Sequence, residues 1–169
     1  ATFSNAGSTI VEELAFTLSA AHDYLCKLME RGLTIDEAAR KIRFTFAVTS
    51  NYFLEMAKFR AARMLWANIV KAYNPEKNCA CKMFAHAVTS TWNQTVYDPY
   101  VNMLRGTTEA MSAAIAGVHS LEVLPFDYAF EAPTEFSKRI ARNAQLLLKK
   151  ESHFDQVIDP AGGSYYIES

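Results

Sequence analysis

The sequence predicts an α/β fold: parallel strands alternating with helices, amounting to roughly half of a (β/α)8 barrel. Three observations predict it. Short β-rich runs alternate with amphipathic stretches of about 15–20 residues, the pattern of helical crossovers in a parallel sheet. Three strand-like runs are clear, with Ala1–Ser4 read as the tail of a fourth, and an open doubly wound sheet has more. The 169 residues fall short of the about 250 of a whole barrel.

Each element has its own signal. Thr9-Ile10-Val11-Glu12 has the form of a capping box. Behind it Ile10, Leu14, Leu18, Ala21, Leu25 and Leu28 recur every three or four residues, predicting a helix that ends near Gly32. A second box, Thr34 to Glu37, opens a helix of about two turns. Arg43–Thr49 alternates and is rich in β-formers, predicting a strand. Helical period returns over Asn51–Tyr73. Phe53, Met56, Ala57, Leu65 and Ile69 make its apolar side, Glu55, Lys58, Arg63 and Lys71 lie between, and Asn74-Pro75 stops it. Met83–Thr89 predicts a buried strand. Asp98-Pro99 predicts an N-cap and first residue for a helix running to about Ala116, with Gly117 just past its end. Leu121–Leu124 predicts the third strand, and Pro133-Thr134-Glu135 opens a last long helix through Leu148.

Composition excludes several function classes. Half of the residues are hydrophobic, 21% are charged and the net charge is −1, so one sizeable core is expected and no basic patch for nucleic acid or anionic membrane. No apolar run reaches the about 18 residues of a membrane span, and no basic segment precedes an apolar one at the start. The three cysteines, Cys26, Cys79 and Cys81, read as free thiols of a cytoplasmic protein, and Cys79-Ala80-Cys81 is too tight for a zinc knuckle. The four histidines show no metal-ligand spacing with one another or with the cysteines, so no metal site is expected.

In parallel α/β folds, sites gather at the C-terminal ends of strands. That rule selects Thr49, Ser50 and Asn51; then His86, Thr89, Ser90 and Trp92; then His119, Ser120, Glu122 and Asp127. Positions 86, 88 and 90 share one strand face, so His86 reads either as a proton donor in a lumen or as a core histidine satisfied by a neighbour. His119 reads as a loop residue, and His22 and His153 as solvated. No nucleophile motif such as Gly-x-Ser-x-Gly is present. Arg60 and Arg63 are expected on a helix surface at a subunit contact. Asp159-Pro160-Ala161-Gly162-Gly163 lacks the lysine and spacing of a phosphate loop and reads as a turn between helical segments.

Four motifs occur in order: Phe53-x-Glu55-x-Ala57-Lys58-x-Arg60-x-x-Arg63-x-x-Trp66, Asp98-Pro99-Tyr100-x-Asn102, Pro133-Thr134-Glu135-Phe136-Ser137-x-Arg139-Ile140-Ala141-Arg142-Asn143, and Asp159-Pro160-x-Gly162-Gly163-Ser164-Tyr165. Together, along nearly the whole chain, they resemble the adenosylcobalamin-dependent acyl-CoA mutases of the methylmalonyl-CoA mutase family. The resemblance implies that residues 1–158 are the C-terminal half of the substrate-binding barrel. Residues 159–169 would begin a linker, truncated here, toward a separate cobalamin-binding domain. It implies an isomerase that interconverts methylmalonyl-CoA and succinyl-CoA, with the cofactor supplying the radical chemistry.

The departures from the family pattern cluster at ligand positions. Active chains carry His-x-Gln-Thr-Ser where this one has His86-Ala87-Val88-Thr89-Ser90. They carry Gln-Ser where it has His119-Ser120, and Arg-x-Ser-Phe-Phe where it has Lys41-Ile42-Arg43-Phe44-Thr45. That pattern resembles the small, non-catalytic subunit of two-chain mutases, inactive alone and partnered by a large catalytic subunit. Adenosylcobalamin would reside in that complex, and without an Asp-x-His-x-x-Gly motif none would be bound by this chain. The alternative is part of a catalytic barrel that binds the CoA thioester directly. The positional candidates for catalysis are His86, Ser120 and His119, and for substrate binding Lys41, Arg43, Thr89 and Ser90. Two open sheet edges also imply self-association of the half-barrel.

Overall fold

A computed structural model describes residues 1–169. Its elements are α1 (Thr2–Asn5), α2 (Ile10–Glu30), α3 (Ile35–Lys41), β1 (Phe44–Val48), α4 (Tyr52–Lys71), β2 (Ala85–Thr89), α5 (Val101–Ile115), β3 (Ser120–Glu122), α6 (Glu135–Lys150) and α7 (Tyr165–Glu168). The strands form one parallel sheet in the order β1-β2-β3. Helices connect them, as the alternation in the sequence predicts, and the architecture is that of a half-barrel.

Local chemistry sets the helix ends. Both capping boxes form: Glu12 and Glu37 donate their backbone N–H groups to the Thr9 and Thr34 hydroxyls, and their carboxylates accept the threonine N–H groups in return. Gly32 and Gly117 hold the positive φ that closes α2 and α5, so that Leu33 N–H reaches Leu28 O and Val118 N–H reaches Ala113 O. The α2 stripe packs as its spacing predicts. Leu14, Leu18, Ala21 and Leu25 join Phe44, Phe46 and Val48 of β1 and Phe59, Trp66 and Val70 of α4 in the main core.

Three expectations fail. Ala1–Ser4 is not strand: Thr2 onward is helical and packs beside β1, and the Ala1 nitrogen donates to Thr45 O at 2.5 Å. Asp98 does not cap α5. The chain enters through i→i+3 bonds at Val101, Asn102 and Met103. The Asn102 side chain braces that entry instead, accepting from Thr95 N–H and donating to the carbonyls of Thr95 and Phe126. Finally, α4 buries a different face. Phe53 and Leu65 are exposed, while Glu55 and Lys58 are fully buried beside Met56, Phe59, Ala62, Trp66 and Val70.

The reason for that last reversal lies at the outer edge of β1. Phe44 N–H bonds Phe84 O and Ser90 N–H bonds Val48 O, so Thr45, Ala47 and Thr49 turn their backbone groups away from β2. Side chains satisfy Ala47 and Thr49, and the Ala1 ammonium meets Thr45 O. Glu13 Oε1 accepts from Ala47 N–H at 3.0 Å, Lys58 Nζ donates to Ala47 O at 2.6 Å, and Glu55 Oε1 accepts from Thr49 N–H at 3.0 Å. Lys58 also bridges Glu13 at 2.8 Å and Glu55 at 2.5 Å. A buried edge cannot leave peptide groups unpaired, and these charged side chains close it.

Candidate functional site on the open face of the sheet

Helices cover one face of the sheet. The other face is built in layers by register. Thr45, His86 and Ser120 form one row, and Ala47, Val88 and Glu122 the next. His86 is the centre. Its Nδ1 is hydrogen-bonded to Ser120 Oγ at 2.8 Å, and its Nε2 lies 3.9 Å from a carboxylate oxygen of Glu122. The imidazole thus sits between a hydroxyl and an anion from the neighbouring strand. The third hydrophilic partner, Thr45, is exposed on the far side. This arrangement can hold or pass a proton.

The other candidates do not join it. His119 lies at the base of β3. Its Nδ1 accepts from Ala85 N–H at 3.3 Å and its ring stacks on Phe84 at 4.6 Å. Burial and the nearby Arg63 and Arg43 charges push its pKa below the ordinary value, in keeping with an unprotonated acceptor nitrogen. Thr89 is buried, its hydroxyl accepting from Leu124 N–H at 2.8 Å. Ser90 is fully buried among Asn5, Trp92 and Glu109. Neither side chain is presented to a ligand: the segment after β3 uses Thr89, and the turn after β2 uses Ser90. Lys41 and Arg43 lie at the opposite, N-terminal end of β1. Lys41 is exposed, and Arg43 donates to Arg40 O at 2.9 Å and lies over the Phe84 ring at 4.4 Å. Asp127 is buried and accepts from Thr134 N–H, holding the start of α6. Arg60 and Arg63 face this chain's own backbone and tail. Arg60 pairs with Asp159 and Glu168, and Arg63 donates to the carbonyls of Ala116 and Gly117.

Sequence reading passed over a second polar cluster at the C-terminal end of β2. Glu109 of α5 is buried, accepting from Ser90 N–H at 3.2 Å and Asn93 Nδ2 at 2.6 Å. Desolvation pushes its pKa up to about 7, opposed by those two hydrogen bonds. A carboxyl raised in the fold favours the neutral form. Its contribution to stability is whole below 4.5, falls as pH rises, and is lost through about 7. Glu109→Gln is therefore expected to gain about 2–3 kcal/mol relative to the parent at pH 8 compared with pH 5. Denaturant melts at the two pH values check this, and an equal effect at both would refute it.

Comparison with known proteins adds the family. The family model described as methylmalonyl-CoA mutase matches residues 1–169. A methylmalonyl-CoA mutase small subunit of Porphyromonas gingivalis is 55% identical over 98% of this chain and 27% of its own length. The methylmalonyl-CoA mutase of Rhizobium meliloti is 45% identical over 97% of this chain and 23% of its own. In Streptomyces virginiae the small subunit is 42% identical over 98% of this chain and 27% of its own. The large subunit there is 43% identical over 96% and 22%. The chain thus spans about a quarter of the length of these relatives. The parallel half-barrel, the four motifs in register and a match over every residue agree, and the chain belongs to the methylmalonyl-CoA mutase family.

Proposed function

We propose that the chain is part of a mutase small subunit, whose barrel supports a catalytic large subunit in interconverting methylmalonyl-CoA and succinyl-CoA. Isomerase activity belongs to the complex, and this chain is inactive alone. The observation that carries the reading is Glu122. It places a carboxylate, 60% exposed, on the open sheet face beside His86. A CoA thioester of a dicarboxylic acid carries phosphates and a carboxylate of its own, and like charges repel there. Around Glu122 the row is apolar, Ala47 and Val88, so nothing in it donates a hydrogen bond to a thioester.

Adenosylcobalamin belongs to the large subunit in this reading. The histidines of this chain do not fit the role of a ligand to its cobalt. None lies in an Asp-x-His-x-x-Gly sequence, and none has a carboxylate within hydrogen-bond distance behind it. The segment after Asp159 is the start of a linker in the parent chain, its turn made by Gly162 and Gly163 before α7. Self-association is left one route. The β1 edge is closed by side chains, whereas Ser120 and Glu122 turn their backbone groups outward at the β3 edge.

The test is a calorimetric titration of this protein and its full-length parent with succinyl-CoA. No binding at micromolar ligand, with co-purification of a larger cobalamin-binding chain, is the expected result; micromolar affinity would overturn it. One observation favours the catalytic alternative, in which the barrel binds the thioester through His86 and Ser120: the large and small subunits of Streptomyces virginiae resemble this chain almost equally. The same titration separates the two readings.

A further inference from the structure

No three His, Cys, Asp or Glu side chains converge on a point suited to a metal ion. A tyrosine completes a set that they do not. His22 and Cys26 stand one turn apart on α2, and Tyr73, just past the end of α4, reaches both. The Tyr73 hydroxyl is 2.8 Å from His22 Nε2 and 3.3 Å from Cys26 Sγ, and Sγ is 4.0 Å from Nε2. A triangle of those sides has its centre about 2 Å from each corner, and zinc holds nitrogen and oxygen at about 2.0–2.2 Å and thiolate sulfur at about 2.3 Å.

We infer that His22, Cys26 and Tyr73 form a three-ligand site for a zinc-class divalent cation, with water as the fourth ligand. The donor set of imidazole, thiolate and phenol oxygen suits a borderline-soft ion rather than calcium or magnesium. Access is open: His22 is exposed, and Cys26 and Tyr73 are half-buried. The adjacent Lys27 is turned to Asp23 at 2.6 Å. Binding releases the Cys26 thiol proton to solvent, His22 coordinates through Nε2, and Tyr73 through its phenol oxygen. The bound ion ties α2 to the end of α4, two elements that otherwise meet through core packing.

Cobalt(II) titration of the metal-stripped, reduced protein tests the site. The expected result is a sulfur-to-cobalt charge-transfer band that saturates at one equivalent, persists in Cys79→Ser and disappears in Cys26→Ser. His22→Ala and Tyr73→Phe should each weaken binding by more than about tenfold, the loss typical even of outer-shell partners. Zinc should raise the melting temperature of the parent protein and not of Cys26→Ser. No band at millimolar cobalt, or a band that survives Cys26→Ser, overturns the inference. So does a band indifferent to His22 and Tyr73, which would reflect a lone thiol only.

Discussion

Lys58→Met is expected to destabilise the chain by about 3–5 kcal/mol, the usual cost of breaking a buried ion pair from one side. Lys58 has no exposed side-chain area and is shared by two equally buried carboxylates, Glu13 and Glu55. Methionine matches the stem in length but leaves Glu55 without a cation, Glu13 with the Ala1 ammonium at 3.5 Å as its one remaining cation, and Ala47 O without its donor. Against a typical stability of about 5–15 kcal/mol, the loss is large. Urea denaturation measures it. Should the single variant fail to fold, Glu13→Gln, Lys58→Met and Glu55→Gln together decide the point. The amide oxygens can still accept from Ala47 and Thr49, so removing all three charges should restore more than half of the loss. A triple variant as unstable as the single one would mean that packing, not charge, is at stake.

Trp66→Ala ranks beside it, at about 3–5 kcal/mol for an aromatic ring removed from a closed core. Trp66 is fully buried on α4 and meets the Phe44 ring of β1 edge-on at 4.9 Å. It therefore joins the helix layer to the sheet. Its Nε1–H is buried without a partner, so much of the value of this side chain lies in its volume. Trp66→Phe keeps a ring and deletes an orphaned donor, and is expected to cost less than about 1.5 kcal/mol. Equal losses for the two variants, read from denaturant midpoints, would show that the indole shape itself is required.

Much of the fold was legible because its signals are local. Thr9 with Glu12, and Thr34 with Glu37, lie within one turn of each other, so their caps depend on nothing elsewhere. Gly32 and Gly117 are needed by the backbone at their own positions. The α2 stripe separates core from solvent as its spacing predicts, with the buried Glu13 as its exception. The α4 reading failed where that premise failed. Phe53 and Leu65 are exposed and Glu55 and Lys58 buried, because the face of α4 that meets β1 must supply charge to an unpaired strand edge. Asp98-Pro99 carried a sound capping signal, but Asn102 took over the entry to α5 through the carbonyls of Thr95 and Phe126.

The candidate site divides the same way. Strand alternation placed His86 on one face and parallel order put a third strand beside it, and both follow from residue spacing. That Ser120 and Glu122 would flank the imidazole depends on the register of β2 against β3, across 34 residues of chain. Thr89 and Ser90 stood out as candidates at a strand end, but Thr89 is taken by Leu124 N–H after β3 and Ser90 by the turn that follows β2. His22 and Cys26 lie one helical turn apart, a spacing the sequence reading did not take for a metal pair, and Tyr73 joins them only because α4 packs along α2. Most element types and helix ends thus follow from neighbours along the chain, where propensity and capping act, and the family from four motifs in order. The partners of each buried or ligating polar group come from other elements, since a desolvated donor or charge is stable only where the fold delivers its complement.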